Sequence, residues 1–225
     1  MENIVIGIEG LVGAGKTPIC KELLNYIPNS ILLNGGNLYR AIVYVLLTSG
    51  KSITDLSNMK NVDIKNIMNI LDIEIKIEDR ETTFYVKGIK IEEEEMQSKD
   101  ASLGVSELGG IADNSKLFEF AKDFINNLKS KYNIIIAGRD IIHIYPEITY
   151  HFFITASLDV RVNRKFERYE GTMSKEELKE HIIKRDELQK KAGFYNISNK
   201  TITLDVSDCN TVEKSTKKVL KQIFA

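Results

Sequence analysis

Short apolar runs alternate with helical stretches through most of the chain. Residues 4–8 are nearly all apolar and end in glycine, the pattern of a strand buried on both faces that feeds a loop. A helix is predicted from Lys16 to about Tyr26. A second short strand, 30–33, stops at Asn34-Gly35-Gly36, and 38–47 is a second helix. Strand, helix, strand, helix implies right-handed crossovers and a parallel sheet.

The pattern changes near residue 60. Residues 62–71 read as helical, and then Ile73, Ile75 and Ile77 alternate with Glu74, Lys76 and Glu78. After a turn at Asp79-Arg80-Glu81, segments 84–86 and 89–91 continue the strand pattern. Alternation with polar partners predicts a small inserted antiparallel hairpin with one wet face. The core pattern returns with a helix at 116–129, strands at 134–137 and 150–155, and a helix at about 158–169. A charged helix follows from Ser174, with Glu177 three residues on as a capping box, to about Lys191. Strand 201–206 and a helix over about 211–223 close the chain. The predicted fold class is α/β, with a parallel sheet, a small inserted antiparallel hairpin and a charged helix near the C-terminal end.

Composition narrows the possibilities without choosing among them. The 225 residues are 43% hydrophobic and 28% charged, with 14 Gly and 3 Pro, as in a globular protein that buries a full core. With 31 Lys+Arg against 32 Asp+Glu, the formal charge of -1 supplies no bulk basic field for nucleic acid or anionic membrane, so anion binding must be local. Neither a nucleic-acid nor a membrane partner is expected. Cys20 and Cys209, without a Cys-x-x-Cys pair, and the scattered His143, His151 and His181 argue against a disulfide framework or a zinc site. The carboxylates of 92–95 read as a solvated edge rather than a metal site. No signal peptide or bilayer-length apolar run is recognised, and a cytoplasmic location is expected.

The chemistry begins at Gly10-Leu11-Val12-Gly13-Ala14-Gly15-Lys16-Thr17, which matches G-x-x-x-x-G-K-[ST] between the first predicted strand and helix. Glycines let successive N–H groups of the loop point at phosphate oxygens, and the helix N-terminus adds positive potential. Lys16 is expected to reach the β/γ-phosphates and the Thr17 hydroxyl to ligate Mg²⁺. Pro18 removes an N–H from the first helical turn, so the helix loses nothing while the anion site loses a donor.

Arginine usage adds to this. Against 24 Lys the chain has 7 Arg, and a planar fork suits bidentate phosphate contact. Arg40 and Arg139 follow predicted strands, on the rim where open α/β sheets bind ligands, and Arg185 sits with Asp186 on the charged helix. Arg161 and Arg164, three apart on one helix, are placed either to reach an ATP phosphate or base, or on a solvated face. Asp140 either orients Arg139, contacts substrate or makes an ordinary ion pair.

The ordered set Gly10 to Thr17, Leu33-Asn34-Gly35-Gly36-Asn37-Leu38-Tyr39-Arg40, Val105-Ser106, Ala137-Gly138-Arg139-Asp140, Phe153-Ile154-Thr155-Ala156-Ser157 with Arg161, and Ile183-Lys184-Arg185-Asp186 resembles the cytidylate kinases over nearly the whole chain. The resemblance implies a three-layer P-loop NTPase fold in one domain, 1–225, with a core (1–60, 111–165 and 196–225), an acceptor-binding insertion at 61–110 and a helical lid at 166–195. It implies Mg²⁺-dependent transfer of the ATP γ-phosphate to CMP or dCMP by a monomer. Lys16, Arg139 and Arg185 would be catalytic. Gly10, Gly13, Ala14, Gly15, Lys16, Thr17, Arg161 and Arg164 would hold ATP, with Thr17 on the metal. Gly35, Tyr39, Arg40, Ser106, Arg139 and Asp140 would hold the acceptor. The chain departs from the family pattern at Asn34, Gly35, Thr17-Pro18, Ser115, Gln189 and Ala192. Kinase action on another acceptor, or a regulatory nucleotide-binding module, are the alternative readings.

Overall fold

The computed structural model describes residues 2–50, 64–96, 114–167, 173–195 and 197–225. In chain order the elements are β1 (Val5–Gly10), α1 (Lys16–Leu23), β2 (Ser30–Asn34), α2 (Gly35–Thr48), α3 (Ile64–Ile70), β3 (Ile73–Glu78), β4 (Glu81–Val86), β5 (Ile89–Lys90), α4 (Glu93–Met96) and α5 (Asn114–Lys129). They continue with β6 (Asn133–Ala137), α6 (Ile141–Ile144), β7 (Tyr150–Thr155), α7 (Leu158–Phe166), α8 (Lys175–Lys191), β8 (Thr201–Asp205) and α9 (Val212–Ile223). The chain divides into two compact units, 1–32 with 132–225, and 33–131.

In the first unit the strand order is β2-β6-β1-β7-β8. β1 pairs in parallel with β6 from Val5 opposite Ile134 to Ile8 opposite Ala137, and with β7 from Ile6 opposite Tyr150 to Gly10 opposite Ile154. β7 continues in parallel to β8, from His151 opposite Thr201 to Thr155 opposite Asp205. All of β1 is buried, as its apolar run requires when helices cover both sheet faces. Ile6, Ile8, Ile19, Leu23, Phe152, Val219 and Ile223 share one core, in which α1 packs on α9. A second cluster of Val12, Val162, Leu178 and Ile182 joins the loop after β1 to α7 and α8. The mixed α/β class with a parallel sheet is therefore as the hydrophobic pattern predicts.

The second unit carries the hairpin. β3 and β4 are antiparallel, with Ile75 opposite Phe84 and Glu78 opposite Glu81, and β5 returns along β4. Asp79 and Arg80, the two residues between the paired ends, both have positive φ (48° and 67°), the geometry that matches a two-residue turn to strand twist. Ile73 and Phe84 are buried with Leu38, Ile42, Leu46, Met68 and Leu71, while Ile77 is exposed, so the hairpin has one covered and one wet face.

Element ends differ from the sequence expectation for local reasons. α1 stops at Leu23 because Leu24, Asn25 and Tyr26 turn their N–H groups to carbonyls three residues back (3.0–3.2 Å), a tightened last turn. α2 begins at Gly35 instead of Leu38. Gly35-Gly36 sit in its first turn, whose N–H groups have no intrahelical acceptor in any case. α8 has the expected capping box: the Ser174 hydroxyl accepts from the Glu177 N–H at 3.2 Å and Glu177 accepts from the Ser174 N–H at 2.8 Å.

Candidate active site

The loop from Gly10 to Thr17 joins β1 to α1. At Gly10 (φ 146°) a Cβ would lie 2.1 Å from the Ile154 carbonyl oxygen, so only glycine lets the loop leave β1 so close to β7. Gly15 (φ 97°) caps α1 in a left-handed conformation. The Ala14 N–H closes on the Leu11 carbonyl at 3.2 Å, whereas the N–H groups of Gly13, Gly15, Lys16 and Thr17 make no hydrogen bond among the described residues. Four free amides around a helix N-terminus make an anion seat. The Thr17 hydroxyl is likewise unbonded among the described residues. Pro18 is exposed in the first turn of α1, where its missing N–H interrupts no helical bond.

The Lys16 ammonium folds back into the loop, donating to the Gly10 and Leu11 carbonyls at 2.9 Å each. Burial pushes its proton affinity well below the ordinary lysine value, and Arg139, Arg185 and Lys165 depress it further, against an opposing pull from Asp186. Arg139, at the end of β6, has its own pKa lowered, first by burial and also by Arg185. Like charges thus crowd one spot. The guanidinium of Arg185, half-buried on α8, makes no hydrogen bond among the described residues.

Two other predicted site residues, Arg161 and Arg164, brace the loop. Arg161 is 7% exposed; its Nε donates to the Ala156 carbonyl at 3.0 Å, and its Nη1 to the Val12 carbonyl at 3.0 Å and to Asp186. Arg164 donates to the carbonyls of Ala14 (3.1 Å), Val206 (2.9 Å) and Cys209 (2.7 Å). Both arginines hold the loop through its backbone. Asp140, left-handed at φ 56°, leads into α6 and directs its carboxylate to His143, while Arg139 donates to Gln189. In the other unit, Gly35 is exposed at the start of α2, Arg40 donates to Asn37 at 2.9 Å, and burial pushes the Tyr39 hydroxyl up to about 12. Ser106 lies outside the described residues.

Two groups escaped the sequence reading. Glu9 is 4% exposed and accepts from the N–H groups of Asp140 (3.1 Å) and Ile141 (2.6 Å) and from His151 Nε2 (2.9 Å), tying the Gly138-Arg139-Asp140 turn to the strand that carries the phosphate loop. Its one sequence signal is a carboxylate at the end of an apolar run. Tyr195 packs edge-on against Phe153 and places its hydroxyl between α8 side chains. Nothing in its local sequence marks it.

A glycine loop between the first parallel strand and its helix, with free amides and converging cations, defines a P-loop phosphotransferase. The cytidylate kinase family model matches residues 6–225, and the chain belongs to that family. It is 26% identical over 232 aligned residues to a cytidylate kinase of Clostridioides difficile, covering 99% of each chain. It is 28% identical to one of Aquifex aeolicus, covering 97% of this chain and 93% of the relative. An uncharacterised protein of Eubacterium ventriosum shares the fold over 99% of this chain and 98% of its own, with a TM-score of 0.51 and 16% identity. Among the described residues no helix is long and apolar enough to cross a membrane, and no cluster of three His, Cys, Asp or Glu could hold a metal ion.

Proposed function

We propose that the protein transfers the γ-phosphate of ATP to CMP or dCMP. The observation that carries this reading is the group of Lys16, Arg139 and Arg185, mutually repelling beside four unpaired loop amides. Such a surplus of positive charge is relieved by phosphate groups and is what phosphoryl transfer needs, because the reaction depends on positioning and charge neutralisation. The acceptor oxygen is already anionic, so no side-chain base is required.

In this mechanism the loop amides and Lys16 hold the donor β/γ-phosphates, with Lys16 leaving its loop carbonyls as they arrive. Arg161 and Arg164 keep the loop shaped from below. Arg139 takes the acceptor phosphate beside Asp140; for Gly35, Tyr39, Arg40 and Ser106 an acceptor role is what the resemblance to the cytidylate kinases implies. Arg185 neutralises charge on the group in transit. Thr17 would be the residue that holds Mg²⁺, and the cation would supply neutralisation of phosphate charge. The free Thr17 hydroxyl suits it, since this cation is commonly held by few protein oxygens together with substrate phosphates. A monomer acting in the cytoplasm belongs to the same reading.

Kinase action on a different acceptor is the second reading. Gln189, where the family pattern has an aspartate, is engaged with Arg139. ADP release measured with CMP, dCMP, UMP, AMP and GMP in turn tests both. Selective turnover of CMP and dCMP is expected; turnover of another monophosphate in their place, or of none, overturns the reading.

A further inference from the structure

The first unit contains a continuous chain of polar contacts from the phosphate loop to Arg139. It starts at the Val12 peptide, held at both ends: its N–H donates to Asp186 Oδ1 at 3.0 Å, and its carbonyl accepts from Arg161 Nη1 at 3.0 Å. Arg161 in turn pairs with Asp186 Oδ2. The Tyr195 hydroxyl lies 2.6 Å from Asp186 Oδ1 and also contacts Gln189 Oε1, which accepts from Arg139 Nη1.

We propose that the Tyr195 hydroxyl is a positioning group that couples acceptor binding at Arg139 to the geometry of the donor phosphate loop. The hydroxyl carries one proton and faces two acceptors, Asp186 Oδ1 and Gln189 Oε1, so it has two discrete arrangements. With Arg139 bonded to Gln189, the Gln189 oxygen is already supplied and the phenol proton goes to Asp186. When Arg139 turns to an anionic acceptor, which rests on the role given to it above, Gln189 loses that donor and accepts the hydrogen bond of the phenol O–H instead. Asp186 Oδ1 is then left to the Val12 N–H. The carboxylate, with one competitor fewer, grips the loop at Val12 more firmly, and donor and acceptor favour each other. Burial and the Asp186 carboxylate raise the phenol pKa, so the proton stays on the hydroxyl throughout. The ring is held independently by Phe153, 5.5 Å away at 80°. Removing the hydroxyl therefore leaves the packing in place.

Tyr195→Phe tests the coupling. The dissociation constant of CMP is measured by calorimetry without and with saturating β,γ-imido-ATP·Mg²⁺, in wild type and variant. Wild type is expected to bind CMP about fivefold or more tightly with the analogue present, within the usual range of coupling between sites. In Tyr195→Phe that ratio should fall to within twofold of unity, while affinity for the analogue alone changes less than twofold. A purely structural tyrosine would alter each affinity and leave their ratio intact. A ratio preserved in Tyr195→Phe, or a wild-type ratio of one, overturns the coupling while leaving CMP kinase activity standing. A wild type that binds no CMP overturns the acceptor reading and the coupling with it.

Discussion

The phosphate-loop region and the hairpin region differ in how their polar groups are satisfied. Around the loop, four amides and the Thr17 hydroxyl have no partner among the described residues, and Lys16, Arg139 and Arg185 repel one another. In the 33–131 unit the strands are paired through β3, β4 and β5, and polar side chains find local partners. Tyr44 donates to Glu95 at 2.8 Å, Tyr85 to Glu78, and Lys76 lies 4.2 Å from the centre of the Tyr85 ring. The lesson is that a scaffold consumes its hydrogen-bonding capacity internally, whereas a binding site holds some in reserve at the expense of stability.

The largest effect expected from that contrast is on catalysis. Lys16→Ala should lower turnover about 10²–10³-fold or more, the usual loss on deleting one group that stabilises transition-state charge. It should not lower the melting temperature; steady-state ADP release and calorimetry read the two effects. Near-normal turnover would break the contrast outright. Phe84→Ala in the hairpin should do the opposite. This side chain is 2% exposed, and its loss should destabilise the protein by about 3–5 kcal/mol in denaturant titration while ATP·Mg²⁺ affinity of the folded protein is unchanged. Impaired nucleotide binding in that variant would show that the hairpin is more than scaffold.

Pro18→Thr returns an amide to the loop region and should tighten ATP·Mg²⁺ binding, by about 1–3 kcal/mol at most, with little change in helix stability. Equal or weaker affinity by calorimetry would mean that the loop holds phosphate by other groups. The smallest effect is a pH slope. Lys16 has a lowered pKa in the folded chain, so between that value and the ordinary 10.5 the unfolded chain binds more protons and stability rises with pH. The destabilisation from this ammonium is full below the lowered value and fades as pH climbs through it. The stability advantage of Lys16→Met over wild type, from denaturant midpoints, should therefore be largest at the lowest pH at which the protein stays folded and shrink as pH rises toward 10.5; an advantage that grows with pH would reverse the sign.

Much of this was legible because it depends on local order along the chain. The continuous apolar run of β1, the glycine spacing of the loop, the alternation at Ile73, Ile75 and Ile77, and the Ser174–Glu177 capping box all act within a few residues. The same holds for Lys16 and Thr17, whose place at the start of α1 follows from their position after Gly15. Less legible were the arginines. Arg161 and Arg164 have the residue type and spacing of phosphate ligands, yet their donors go to loop carbonyls up to 150 positions away in sequence.

By itself the sequence determined the α/β alternation, the anion seat between β1 and α1, and the family to which the chain belongs, since each rests on periodicity, fixed spacing or ordered motifs. Only the tertiary structure decided which polar groups are consumed and which remain available. Glu9 meets His151 and the Asp140 turn, and Tyr195 meets Asp186 and Gln189, because parallel pairing of β1 with β6 and β7 and the packing of α8 on the loop bring distant segments within hydrogen-bond range. The physical reason is one of range: hydrophobic period and turn chemistry act between neighbours along the chain, but a hydrogen bond is settled only by distance and angle in three dimensions.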